Sequence, residues 1–459
     1  MSEPLVSVCV PTYMHGRFLR IAVESILAQS LQDFEVIIAD DASDQSEPTA
    51  GIVESFRDPR IRFLQQRRHV GVAENRNACL RMARGRYVSW LDADDLYEPT
   101  ALERLSTALD DNPAAGFAHA GFRLIDEAGS ELKGWPSSLA NDTIEPSRDA
   151  FRELAACNYV TTSTVMVRLS VQEQAGYFDA SIGRSSTDWN MWLRLALLGD
   201  VAYVDDPLAL YRLHDATISA QTSPSGQRLR CDVRAIARVF SGHTGEIPDF
   251  DRTYTQAGAA LSIRWLIHAQ AAYQAGSINH ALGAVVQAFR QSRSQAGTSD
   301  WYQLLTSILR RNEYGVYQAS RQLMGSLYRL LESTRYGDQV RKLAVPDAEW
   351  ESTIAGCADT IRRVTEQECL VAAIDKHDPS LLHFSGRKGL HFPETGNYPS
   401  DDREAIESIA TLPGKGVRYF VIPAFSFWWL DFYRGLAEYL QTKHSPIWSD
   451  SRCKIYELQ

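Results

Sequence analysis

Three carboxylates stand within four positions at Asp92-Ala93-Asp94-Asp95, directly after the apolar run Tyr87-Val88-Ser89-Trp90-Leu91. Acids this close repel one another unless a cation or the loop geometry separates them, so a positive partner is expected there. The plain structural alternative is a solvated turn in which Asp95 or a neighbour caps the helix opening near Pro99. A second acid pair, Asp40-Asp41, ends the run Glu35-Val36-Ile37-Ile38-Ala39, and Pro11-Thr12-Tyr13 ends Leu5-Val6-Ser7-Val8-Cys9-Val10. Tyr13 offers a flat face to a nucleobase, and Asp41 offers a carboxylate to the ring N–H of a uracil or thymine. Asp94 offers oxygen to a divalent metal shared with a diphosphate, because Mg²⁺ and Mn²⁺ favour oxygen ligands. Together these parts describe a nucleotide-sugar site, provided one fold brings them together.

The spacing of the chain supplies that fold. Each of these runs reads as a buried strand. Apolar positions at helical spacing follow the first, at Phe18, Ile21, Ala22, Ile26 and Leu27. A helix over about 47–56 follows the second, with Ser46 and Pro48 as start signals, and one over about 73–83 follows the strand Ile61-Arg62-Phe63-Leu64. Regular β-α alternation predicts a parallel sheet with right-handed crossovers, which puts every strand's C-terminal loop on one edge. The three polar strand ends therefore converge on the crevice where open α/β sheets bind ligands. The turn Pro11-Thr12-Tyr13-Met14-His15-Gly16 has neither a GxGxxG nor a Walker A pattern, which disfavours dinucleotide and P-loop readings.

With 459 residues, two or three domains are expected. Hydrophobic residues make up 44% and aromatics 10%, a globular composition. A formal net charge of -10 argues against a nucleic-acid partner held by general phosphate attraction. Seven cysteines show neither CxxC nor Cys/His ligand spacing, which fits a reducing cytosol. No apolar run reaches the roughly 18 residues of a membrane span, and no basic leader precedes the first strand. A cytoplasmic location is expected, with any membrane contact peripheral and at the inner face.

Residues 5 to 215 resemble the inverting glycosyltransferases of family 2, with the GT-A fold, through several motifs in the family's order. Val6-Ser7-Val8-Cys9-Val10-Pro11-Thr12-Tyr13 resembles the opening strand and nucleotide loop, with Met14 where the family usually has Asn. Ile37-Ile38-Ala39-Asp40-Asp41-Ala42-Ser43 resembles the second motif, which makes Asp41 the base-recognising carboxylate and Asp40 the residue that orients the loop. Gly71-Val72-Ala73-Glu74-Asn75-Arg76-Asn77-Ala78 is similar to the segment whose arginine approaches the donor diphosphate or ribose, a role that passes to Arg76. Trp90-Leu91-Asp92-Ala93-Asp94-Asp95 is similar to the DxD segment, with Asp94 as metal ligand and Asp92 either near the ribose or supporting the ligands from behind. Gly176-Tyr177-Phe178-Asp179 resembles the loop before the catalytic helix, and Asp188 in that helix matches the general base. Read alone, Asp188 is a helix-start acid. Pro207-Leu208-Ala209-Leu210-Tyr211-Arg212-Leu213-His214 looks like the loop over the donor diphosphate, with Arg212 a phosphate or structural contact and His214 a metal ligand or diphosphate donor.

The resemblance implies transfer of a sugar, dependent on Mn²⁺ or Mg²⁺, from a UDP- or dTDP-linked donor to a glycan or lipid-linked acceptor in bacterial surface polysaccharide synthesis. Asp188 would take the acceptor hydroxyl's proton, while the metal on Asp94 and the charge of Arg76 would stabilise the departing diphosphate. Two alternatives stand beside this reading: a catalytically silent nucleotide-sugar-binding scaffold, and a sugar nucleotidyltransferase, although no glycine-rich phosphate loop follows the first strand. Trp189 and Trp192 serve either the core or an acceptor sugar.

The remaining chain sets the frame. Thr161 to Arg168 reads as a strand. From about Arg228 the pattern turns helical, and Trp265–Gly276 with Ala281, Val285, Ala288 and Phe289 reads as a hairpin resembling a tetratricopeptide unit. Arg310, Arg311, Arg321, Tyr328 and Arg329 lie either on a solvated helix face or against an anionic lipid or partner. The last hundred residues alternate strands at 369–375, 417–423 and 453–458 with helices at 403–412 and 428–440, where Trp428-Trp429 seats a helix on the sheet. This part looks like a module appended to some polysaccharide-assembly transferases. Asp375 and Pro423 mark a further candidate ligand edge. The expectation is α/β throughout: a GT-A-type (Rossmann-like) mixed sheet over 1–222, a helical connector over 223–360 and a small α/β domain over 361–459. The helical and C-terminal parts are the candidate docking places for a protein or membrane partner.

Overall fold

The computed structural model describes residues 3–44, 46, 48–132, 141–291, 301, 304, 319, 320, 323, 348–374, 380–393, 399, 401–427, 429, 430, 433–444 and 446–458. The features expected at Arg310, Arg311, Arg321, Tyr328, Arg329, Asp375 and Trp428 lie outside these residues. The chain divides into two compact units, residues 1–265 with 290–292 and 330–336, and residues 266–289 with 293–329 and 337–459.

The first unit opens with the alternation its sequence predicts: β1 (Val6–Thr12), α1 (Gly16–Leu27), β2 (Phe34–Asp40), α2 (Thr49–Phe56), β3 (Ile61–Gln65), α3 (Val72–Met82) and β4 (Tyr87–Trp90). β1 pairs in parallel with both β2 and β4, and β2 pairs in parallel with β3. Side chains alternate between the sheet faces with period two. Val6, Val8 and Val10 join the core on one face with Val36 and Ile38, against Leu19, Ala22, Val23 and Ile26 of α1. Cys9, Ile37 and Ala39 join the core on the other face with Ala78 and Cys79 of α3. Burial on both faces explains why these strands read as continuous apolar runs.

The chain continues through β5 (Leu96–Tyr97), α4 (Ala101–Asp111), β6 (Ala115–Ile125), β7 (Glu131–Leu132), β8 (Thr143–Glu145), α5 (Ser147–Ala156), β9 (Met166–Arg168), α6 (Leu169–Ala175), α7 (Thr187–Leu198) and β10 (Asp200–Arg212). The sheet order is β3-β2-β1-β4-β9-β6-β10-β5. β9 is antiparallel to β4 and β6, so the sheet is mixed. Two expectations change here. Thr161 to Arg168 is a strand only over Met166–Arg168. Its β-branched start is a short 3-10 helix, Thr162–Thr164, because Thr164 and Val165 donate backbone bonds back to Thr161 and Thr162, and the Thr164 hydroxyl adds a bond to the Thr161 carbonyl. Pro207 to Arg212 is the end of strand β10 rather than a loop, held by register with β6.

At the opposite end of the central strands, Ser7 Oγ donates to Glu35 Oε1 at 2.8 Å, and Arg62 and Arg84 each donate to Glu35 Oε2 at 2.8 Å. Burial pushes the Glu35 carboxyl up, but the bonds from Arg84, Arg62 and Ser7 outweigh it and hold the group below the usual range.

After β10 come α8 (Ile218–Thr222), α9 (Gln227–Gly242), α10 (Phe250–Gln274) and α11 (Ile278–Gln291), with the turn between the last two at Gly276, where φ is 76°. This is the predicted helical hairpin. The second unit holds α12 (Ala348–Val364), β11 (Leu370–Ala373), α13 (Ser380–Ser385), β12 (Lys388–His391), α14 (Asp402–Ala410), β13 (Val417–Pro423), α15 (Arg434–Lys443), β14 (Pro446–Ser449) and β15 (Cys453–Glu457). Its sheet runs β12-β11-β13-β15-β14. Trp429 is fully buried in its core with Phe392, Phe420 and Tyr433. Among the described residues, no helix is long and apolar enough to cross a membrane, and all seven cysteines are free.

Candidate functional site

The parallel arrangement carries the polar ends of β1, β2 and β4 to one edge. The acid loop after β4 is held by buried groups. Arg212, only 1% exposed, donates from its backbone N to Asp95 Oδ1 at 2.8 Å and from Nε to the Asp94 carbonyl at 2.8 Å. Its Nη1 reaches the carbonyls of Asp126 and Glu127 at 3.0 and 3.1 Å, and its guanidinium lies 4.8 Å from the Phe18 ring. The Ser163 hydroxyl donates to Asp95 Oδ2 at 2.5 Å. Burial and repulsion by Asp94 and Asp92 raise the Asp95 carboxyl well above its ordinary value.

Asp94 turns the other way. Its Oδ2 lies 2.9 Å from His214 Nε2 and 3.9 Å from His15 Nδ1. Burial pushes Asp94 up, while the His214 hydrogen bond and His15 outweigh it and hold the carboxyl below the usual range. Each of His15, Asp94 and His214 offers a ligand atom, and these atoms lie within 4.8 Å of one another. His15 was not singled out by sequence as a ligand. It precedes α1 as its N-cap residue, and its distance of 79 positions from Asp94 leaves no local signal.

Arg76, on α3, is buried and donates from Nη2 to Asp92 Oδ1 at 3.1 Å. Burial disfavours its charge, but Asp92 and Asp188 together raise its pKa and keep it charged. Asp92 sits higher than an ordinary carboxyl: its enclosed position and repulsion from Asp94 and Asp188 outweigh the pull of Arg76. Asp188 lies in the first turn of α7, and the Thr162 hydroxyl points to its Oδ2 at 3.4 Å. Trp189 and Trp192 are core residues, 1% and 0% exposed; the Trp189 indole N–H donates to the Leu154 carbonyl at 2.7 Å. Neither offers an acceptor surface.

At the far side, Tyr13 is 42% exposed and its ring stands 4.3 Å from that of His69. Pro11 and the buried Thr12 close β1 beside it. Asp41 is buried and accepts from the backbone N–H of Val70 at 2.6 Å and of Gly71 at 2.9 Å, with His69 Nδ1 2.9 Å from Oδ2. Asp40 accepts from the Ser43 hydroxyl at 2.6 Å and from Gln65 at 3.2 Å, which fixes the loop after β2. Met14 has φ of 56° and donates its N–H to Ser43 at 2.8 Å. Beside this corner, Gln66, Arg68, His69, Val70, Glu74 and Arg81 line a cavity of about 460 Å³. His69 carried no sequence signal beyond its place after β3. Among the described residues, Thr12 Oγ1, Arg76 Nε, Arg212 Nη2 and His214 Nδ1 are buried without a hydrogen-bond partner, a pattern expected where a polar ligand binds.

A family profile described as Glycosyl transferase family 2 matches residues 7–163. TuaG of Bacillus subtilis (strain 168), carrying the name of a putative teichuronic acid biosynthesis glycosyltransferase, is 31% identical over 243 residues, 52% of this chain and 90% of TuaG. The chain belongs to glycosyl transferase family 2. Chondroitin synthase of Escherichia coli is 28% identical over 44% of this chain and 28% of its own length. Among solved structures, S. aureus TarS superposes with a TM-score of 0.50 at 16% identity, covering 69% of this chain and 54% of that chain, a likeness of fold. As a family 2 member with a GT-A-type sheet, the chain is a glycosyltransferase by family, and its acid loop lies at the carboxyl ends of the parallel strands.

Proposed function

We infer that this protein is an inverting, metal-dependent transferase that moves a sugar from a UDP- or dTDP-linked donor to a glycan or lipid-linked acceptor in surface polysaccharide synthesis. The observation that carries the reading is the meeting, at one sheet edge, of Asp94, His15 and His214 with Arg76, Asp92 and Asp188. The names of TuaG and chondroitin synthase support the choice of a polysaccharide acceptor.

Tyr13 gives the base a face to stack on. Asp41 already accepts from its own chain, but a carboxylate has about four acceptor positions, which leaves room for an imide N–H. Pro11 and Thr12 shape the same loop. Asp92, paired with Arg76, lies where the ribose is expected, and Arg76 presents charge to the diphosphate. Asp94, His214 and His15 would hold the metal, His15 being the addition to the set read from sequence. A mixed nitrogen and oxygen donor set fits Mn²⁺ better than Mg²⁺, which dehydrates reluctantly and favours oxygen. When bound, the metal supplies positive charge to the diphosphate as it departs. Asp188 accepts the proton of the acceptor hydroxyl as that oxygen attacks the anomeric carbon from the opposite face. Arg212 acts by holding the acid loop in place, since its Nε and Nη1 bonds go to main-chain carbonyls.

The test is product analysis with a panel of UDP- and dTDP-sugars, Mn²⁺ and glycan or polyprenyl-diphosphate-linked sugar acceptors. Release of nucleoside diphosphate with inverted anomeric configuration by NMR is expected. Release of pyrophosphate, or retained configuration, overturns the reading.

A further inference from the structure

The 3-10 turn Thr162–Thr164 sits between the two poles of the site and touches both. Ser163 is fully buried. Its hydroxyl accepts the Asp92 backbone N–H at 3.1 Å and donates to Asp95 Oδ2 at 2.5 Å, so one oxygen grips the acid loop at both ends. The next side chain toward the N-terminus, Thr162, reaches Asp188 Oδ2 at 3.4 Å. That spacing is long for a hydroxyl bond but still within reach of one. The turn itself is anchored: Thr164 N–H donates to the Thr161 carbonyl, Trp90 N–H donates to the Val165 carbonyl, and Ser89 Oγ donates to that same carbonyl at 3.2 Å.

We propose that Thr162 and Ser163 are positioning residues for transfer, a two-residue clamp that fixes the Asp188 carboxylate relative to the acid loop after β4. The proposal rests on the reading of Asp94 as a metal ligand and Asp188 as the base. Its physical content is a distance. In-line displacement needs the attacking oxygen and the leaving diphosphate on opposite sides of the anomeric carbon, and an error of about 1 Å in their separation lowers the rate by about 100-fold. Asp188 belongs to α7 and Asp94 to the β4 loop, elements about a hundred residues apart in sequence, and adjacent side chains of one turn contact both. Ser163 therefore governs the metal side and Thr162 the proton-accepting side.

The experiment uses the full chain and the variants Ser163→Ala, Thr162→Val, Thr162→Ser and Asp188→Asn. Mn²⁺ binding is read directly from the EPR signal of free Mn²⁺, and turnover is read as UDP release from the UDP-sugar panel. Ser163→Ala is expected to weaken Mn²⁺ binding about 10-fold, because both of its bonds to the acid loop, from the Asp92 N–H and to Asp95, are lost together. Thr162→Val is expected to leave Mn²⁺ affinity and KM within twofold and to lower kcat about 10-fold, while Thr162→Ser restores kcat. A thermal melt checks that each variant is folded. If Ser163→Ala unfolds, the Thr162 pair decides alone. Wild-type kcat in Thr162→Val, or a shared loss that Thr162→Ser does not rescue, overturns the clamp, as does unchanged Mn²⁺ affinity in a folded Ser163→Ala. Full turnover in Asp188→Asn overturns the site reading on which the clamp rests. Loss of turnover in Asp188→Asn with wild-type behaviour at 162 and 163 overturns the clamp alone.

Discussion

Replacing Arg212 with Ala separates a donor-contacting arginine from one that holds the acid loop. Three side-chain bonds are lost: Nε to the Asp94 carbonyl at 2.8 Å and Nη1 to the carbonyls of Asp126 and Glu127 at 3.0 and 3.1 Å. At about 1.5–3 kcal/mol for each bond involving a charged group, simple addition gives about 5–9 kcal/mol. Asp126 is half-buried and Glu127 exposed, so water replaces much of what their carbonyls lose. The Asp94 carbonyl is in a buried residue and has no such relief. A loss of about 3–4 kcal/mol is therefore expected, within the about 5–15 kcal/mol stability of a typical domain, so the variant remains folded. Arg212→Lys recovers at most one of the bonds, because an ammonium cannot reproduce the planar fork. Urea unfolding of the three proteins measures the effect, alongside calorimetric UDP binding with Mn²⁺. A stability change below about 1 kcal/mol together with lost UDP affinity would refute this reasoning and return Arg212 to direct donor contact.

Three further outcomes follow from the same geometry. Asp188→Asn is expected to keep UDP and Mn²⁺ binding and to lose about 10²–10⁴ in kcat, and transfer at near wild-type rate would remove Asp188 from the base role. Tyr13→Ala removes a half-exposed ring, so the melting temperature should hold while UDP binding weakens by about 1–3 kcal/mol, measured by calorimetry; unchanged affinity places the base elsewhere. Glu35 has a folded pKa below its ordinary value of 4.5, so its contribution is full above that pH and is lost as pH falls through the folded pKa. Urea unfolding between pH 3 and 6 should therefore show a shallower acid-side loss for Glu35→Gln than for the wild type, and parallel curves would contradict the assignment.

The central strands were legible because both faces of β1, β2 and β4 are buried, which leaves an unbroken apolar signal ending in polar residues. From that pattern the parallel pairing and the meeting of Tyr13, Asp41 and Asp94 at one edge followed. The half of the site built by long-range contact was harder to read. His15 meets Asp94 only after β1 and β4 pair, and Arg212 looks like a phosphate ligand until β10 carries it into the interior. The run from Thr161 to Val165 misled for a different reason. Its β-branched side chains favour a strand, yet its hydroxyls bond locally and to Asp95 and so stabilise a tight turn. Trp189 showed the limit of helical spacing, since either face of α7 was compatible with the pattern, and its burial and the indole bond to Leu154 assign it to the core. In the second unit, β12 and β14 leave little sequence signal, because each is four residues long and carries little apolar periodicity.

The central claim is that Asp94, with His15 and His214, makes nucleotide binding depend on a divalent metal. Calorimetric titration of UDP and dTDP into the wild-type protein and Asp94→Asn, with and without Mn²⁺, tests it most directly. The account predicts Mn²⁺-dependent binding in the wild type and loss of that dependence in Asp94→Asn, with both proteins folded. Equal affinity in both proteins with and without Mn²⁺, or Mn²⁺-dependent binding that survives in Asp94→Asn, would contradict it.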